Sequence, residues 1–79
     1  MTINTWDISS EFIRLDAFLK LTGAVPTGGQ AKHSIQEGTV EVNGAVCLQR
    51  GKKLRPGDTV RLAGGETLYR VGPVPAGGM

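Results

Sequence analysis

Asn43-Gly44, set between Val40-Glu41-Val42 and Ala45-Val46, restricts the fold more tightly than any other stretch of the chain. A two-residue type I′ turn needs positive φ at both central positions, and Asn-Gly is the natural pair that tolerates it. Apolar residues alternate on either side, so the stretch specifies two antiparallel strands in a hairpin. Val46 and Leu48 are expected to continue the alternation on the second arm.

Before Thr39 the apolar period is that of a helix. In "RLDAFLKLTG", Leu15, Phe18, Leu19 and Thr22 lie three and four residues apart, and Gly23 stands where a helix C-cap belongs. After the turn "AVP", Thr27 precedes Gln30 by three residues. This is a capping box, which starts a second helix at Gly28. Ala31 and Ile35 form its buried stripe, Lys32 and Gln36 are more exposed, and Gly38 ends it.

Past the hairpin, "RPGD" marks a turn, Val60 and Leu62 a third strand, Gly64-Gly65 another turn, and "TLYRV" a fourth strand. A weakly patterned amino-terminal strand, near residues 3–8 or 11–13, is expected to pair with the last one. The fold class is α+β, with two short helices packed on a small antiparallel β-sheet. Residues 1–72 form one domain, and 73–79, "PVPAGGM", read as a flexible tail.

A chain of 79 residues supports one modest core. Nine Lys and Arg face seven Asp and Glu, an excess too small to name a partner by itself. Placement says more, because Arg50, Lys52, Lys53, Arg55 and Arg61 follow one another with only Asp58 among them. One cysteine, Cys47, and one histidine, His33, provide neither a disulfide nor a metal ligand set, so no cofactor is expected. Cys47 reads as a small core filler and His33 as an ordinary surface residue. Without paired carboxylates or a Cys-His arrangement an enzyme is not expected. No basic segment leads into a long apolar run, and no stretch is apolar enough to span a bilayer. The expectation is a cytoplasmic monomer.

Gly28-Gly29 needs a reason, since glycine weakens the first turn of a helix. One reading is that bare N–H groups at the positive end of the helix dipole admit a phosphate oxygen. The other is that the glycines let two helices cross closely or make a turn. Lys32, one turn on, favours the phosphate. The run Arg50, Lys52, Lys53, Arg55 is the densest positive patch and suits backbone phosphates, its alternative being a solvated loop. Arg14 either joins this surface or pairs with Asp16 or Glu11. Trp6, Phe12, Phe18 and Tyr69 are too few for a row of base-stacking aromatics, which leaves contacts to backbone and shape.

"RLDAFLKLTG", "GGQAKHSIQEGTVEVNG" and "LRPGDTV", in that order, resemble the RNA-binding domain of the small-subunit ribosomal protein S-four type, also called the alpha-L motif. The stand-alone bacterial YbcJ/YaaA-like members are the most similar, and the likeness runs from about residue 12 to residue 71. It implies an RNA-binding surface on the two helices and the following hairpin, with structured RNA, ribosomal RNA included, as the partner. Arg14, Gly28, Gly29, Lys32, Arg50, Lys52, Lys53 and Arg55 are the candidate contacts. Where most members have Ser-Arg, this chain has Thr27-Gly28, so the basic contribution is expected to move from the helix to the "QRGKKL" loop. The chain is also similar in part to small beta-grasp carriers that use a C-terminal Gly-Gly, although Met79 follows Gly77-Gly78 and the helices precede the sheet.

Overall fold

Leu15, Phe18 and Leu19 are completely buried, together with Ala31, Ile35, Leu54, Val40, Val60 and Val71. The helical period and the strand period thus meet in one core. The computed structural model describes residues 2–73, so of the expected tail only Pro73 falls within it, and Gly77-Gly78 lie outside the described residues.

The elements are β1 (Thr2–Asp7), β2 (Ile13–Arg14), α1 (Leu15–Leu21), α2 (Gly28–Gln36), β3 (Val40–Val42), β4 (Ala45–Val46), β5 (Lys53–Leu54), β6 (Thr59–Leu62) and β7 (Thr67–Gly72). Both helices stop at glycines in the left-handed region, Gly23 at φ 76° and Gly38 at φ 78°. There a residue with a Cβ is disfavoured, and the chain turns towards its next element.

The main sheet has five strands in the order β1-β7-β6-β3-β4. It is antiparallel from β7 to β4, as the hairpin pattern predicts, but β1 joins β7 in parallel, with Thr2 opposite Thr67 and Asp7 opposite Gly72. The sheet is therefore mixed. Nearly the whole chain connects β1 to β7, so no tight turn forces their directions to oppose. β2 and β5 form a separate two-stranded ribbon that pairs Ile13 with Leu54 and Arg14 with Lys53.

Asn43 and Gly44 adopt φ 52° and 86°, as a type I′ turn requires. The turn is clamped to its neighbour. Asn43 Oδ1 accepts from the Thr59 N–H at 3.0 Å, and its Nδ2 donates to Asp58 Oδ1 at 3.1 Å. Asp58 Oδ2 in turn accepts from the Arg55 N–H at 2.8 Å, closing the "RPGD" turn.

One expectation fails on the hairpin. Val46 and Leu48 do not join the core; they are 57% and 62% exposed. Val42 pairs with Ala45 and Glu41 with Val46, and directly opposed residues share a face. A two-residue turn therefore puts Val46 on the Glu41 side, away from Val40 and Val42. Cys47, whose N–H donates to the Val40 carbonyl at 3.0 Å, takes the inward place and packs against the core.

Candidate nucleic-acid interface

The first turn of α2 is open. Thr27 caps it in an extended conformation, with its Oγ1 accepting from the Gln30 N–H at 3.1 Å. The helix's own bonding begins with the Ala31 N–H donating to the Thr27 carbonyl. The N–H groups of Gly28 and Gly29 thus lie outside the helical ladder, as the first donors of any helix do, and no acidic side chain stands in that turn. A Cβ built on Gly28 would meet nothing within 4 Å, and one on Gly29 would meet only Thr27 Oγ1 at 3.9 Å. Neither glycine has positive φ. Neither close helix crossing nor backbone conformation calls for them.

Gly28 forms one wall of a shallow groove of about 300 Å³ whose other walls are Arg14, Asp16, Ala17 and Lys20 of the α1 segment. Arg14 precedes α1 and provides no side-chain cap. The basic loop does that instead, because the Leu15 N–H donates to the Lys52 carbonyl at 2.8 Å and the Asp16 N–H to the Arg50 carbonyl at 3.1 Å. Two otherwise unsatisfied helix donors therefore fasten the loop to the start of α1. The β2-β5 ribbon adds a second tie by placing Lys53 directly opposite Arg14.

Of the two acids available to it, Arg14 takes Asp16, with Nη2 at 3.2 Å from Oδ2, and its guanidinium lies beside Gly51, 3.8 Å from where a Cβ would be. Lys53 Nζ sits 4.9 Å from the centre of the Phe12 ring, a cation–π contact that holds the ammonium without neutralising it. Arg61 belongs to the same basic stretch of sequence but is bound to Glu41 at 3.0 Å across β6 and β3. His33 pairs with Glu37 one helical turn on. Among the described residues, Lys20, Lys32, Arg50, Lys52, Lys53 and Arg55 have no acidic group within ion-pair distance.

The candidates are not all on one concavity. Arg14 and Gly28 share the groove, Lys53 lies beside Arg14, and Lys32 is one turn along α2 from Gly28. Lys52 lines a different depression of about 450 Å³, formed with the hairpin residues Asn43, Val46 and Leu48. Arg55 stands past the end of β5, its backbone fixed in the "RPGD" turn and its side chain exposed. Lys20 is a groove residue that the sequence reading does not include. The available signal is its place on α1 four residues from Asp16, on the side away from Leu15, Phe18 and Leu19.

The chain matches the S4 domain family over residues 6–71. A Bacillus subtilis (strain 168) protein named "Probable ribosome maturation protein RlbA" is 41% identical over 61 residues, which cover 77% of this chain and 86% of that one. YbcJ of Escherichia coli (strain K12) is 44% identical over 52 residues, 66% of this chain and 74% of its own. The solution structure of E. coli YbcJ, which reveals an alpha-L motif involved in RNA binding, superposes with a TM-score of 0.64 and 34% identity, covering 89% of this chain and 90% of that one. The resemblance read from the three sequence blocks is thereby borne out, and this chain belongs to the S4 domain family.

Proposed function

We propose that this chain is a non-catalytic RNA-binding module, working as a monomer in the cytoplasm, that grips structured RNA through its backbone phosphates. The observation that carries the reading is the group of cations without acidic partners around the open first turn of α2 and the loop fastened to α1. Phosphates drawn to such a surface release counterions, which supplies affinity without any reading of sequence. The relative named for ribosome maturation makes ribosomal RNA, or a ribosomal particle, the partner class to test first.

The test is a titration of a structured ribosomal RNA fragment at several salt concentrations. With roughly three to five phosphates engaged, log affinity should fall against log salt with a slope of about −2 to −4. Affinity that stays flat across the salt range overturns the reading.

A further inference from the structure

Asp16 is chemically out of keeping with a surface made for phosphates. Its carboxylate lines the groove between α1 and the first turn of α2, where a negative charge opposes the anion its neighbours attract. Its pairing with Arg14 and its place in the first turn of α1 account for only part of its bonding capacity. A carboxylate has about four acceptor positions, two on each oxygen. Here Oδ1 accepts the Ala17 N–H at 2.8 Å and Oδ2 accepts Arg14 Nη2 at 3.2 Å. Each oxygen therefore keeps a free position, and the side chain is 24% exposed.

Two parallel acceptors match a ligand with two adjacent donors. Among the RNA bases guanine alone has that pattern on its Watson–Crick edge, as N1–H beside N2–H₂. Adenine and cytosine place a ring acceptor next to their amine, and uracil places its single N–H between two carbonyls. Proteins read this edge on bases that are unpaired, in loops, bulges and ends.

We propose that the groove takes one unpaired guanine of the bound RNA, with Asp16 as the specificity-determining residue that accepts its N1–H and N2–H₂. The inference rests on the RNA-binding reading above and adds a base preference to it. Arg14, held by Asp16 and lying beside Gly51, presents a planar guanidinium against which a base can stack. Ala17 gives an apolar surface beside it. Lys20 and the free N–H groups of Gly28 and Gly29 stand where the phosphates flanking that nucleotide would pass. The ion pair between Arg14 and Asp16 thus serves both partners, orienting the cation and leaving the carboxylate in place for the base.

The experiment uses three short RNA hairpins that differ only in one bulged nucleotide: guanine, adenine, or inosine, which keeps N1–H but lacks the N2 amine. The unaltered protein should bind the guanine hairpin about tenfold more tightly than the adenine one, with inosine between them. Asp16→Asn turns one acceptor into a donor, so the guanine preference should vanish while affinity for the adenine hairpin is kept or rises. Equal binding of all three hairpins by the unaltered protein overturns the proposal, as does a guanine preference that survives in Asp16→Asn. The inosine comparison needs no variant and decides the question even if Asp16→Asn folds poorly. Failure to bind any hairpin at low salt overturns the RNA-binding reading itself, a result distinct from binding without preference.

Discussion

Replacing Gly28 and Gly29 together by alanine should stabilise the protein and weaken its hold on RNA. Alanine suits both positions, since neither has positive φ and the added Cβ atoms would meet nothing within 4 Å except Thr27 Oγ1 at 3.9 Å. In a helix interior glycine is worse than alanine by about 1 kcal/mol, and at the first turn about half of that is reasonable. The two changes then add about 1 kcal/mol of stability, which for a domain of this size raises the melting temperature by about 4–8 °C. The same methyl groups stand over the two N–H groups left outside the α2 ladder. A phosphate oxygen kept away from one of them loses a charge-assisted hydrogen bond worth about 1.5–3 kcal/mol, or roughly tenfold or more in affinity. Thermal circular dichroism and fluorescence anisotropy at fixed moderate salt measure the two effects separately. A melting temperature that falls would mean that the backbone needs glycine there. One that rises while affinity stays the same would mean that no phosphate approaches this turn.

Lys52→Glu with Lys53→Glu should leave the melting temperature nearly unchanged, because both side chains are exposed and the interaction of Lys53 with Phe12 contributes only about 0.5–1 kcal/mol at such a site. RNA binding should drop steeply, and the salt slope should become shallower by about 0.9 for each phosphate no longer neutralised; binding equal to the unaltered protein would make the loop a solvated face. Gly44→Val should destabilise the fold by about 1–2 kcal/mol, all of it from φ of 86°, since a Cβ there meets nothing within 4 Å. A chemical denaturation midpoint that does not move would show that the turn relaxes freely.

Features with a local cause are legible in the sequence. Thr27 and Gln30 fix the start of α2, Gly23 and Gly38 fix the helix ends, and Asn43-Gly44 fixes the hairpin, each through the conformation of its own residues. Features that depend on pairing are harder to read. The inward alternation of Val40 and Val42 does not carry across the turn to Val46 and Leu48, because the pairing of Val42 with Ala45 reverses which parity faces the core. β2 and β5 have two residues each, too short for any periodicity, yet they set Arg14 opposite Lys53. β1 has no buried residue and therefore no alternation to find. At the site, the sequence points to the basic loop and to Gly28, but the shared groove arises from the meeting of α1 and α2. Lys20 is therefore invisible to spacing alone, and Lys52 looks like a neighbour of Gly28 although it lines another depression.

The parallel pairing of β1 with β7 also sets an order of events during synthesis. Thr5 and Arg70, joined by a hydrogen bond across that pair, are 65 residues apart. In a chain growing from its amino end, β1 is among the first segments made and its partner among the last. Domains form from the amino end only as fast as their contacts become available, so β1 must wait, unpaired, until β7 has emerged. The helices, the hairpin and the basic loop lie between them and are complete before the sheet can close. The parts proposed to hold RNA are thus translated first and made rigid last, by a strand pairing that touches none of them.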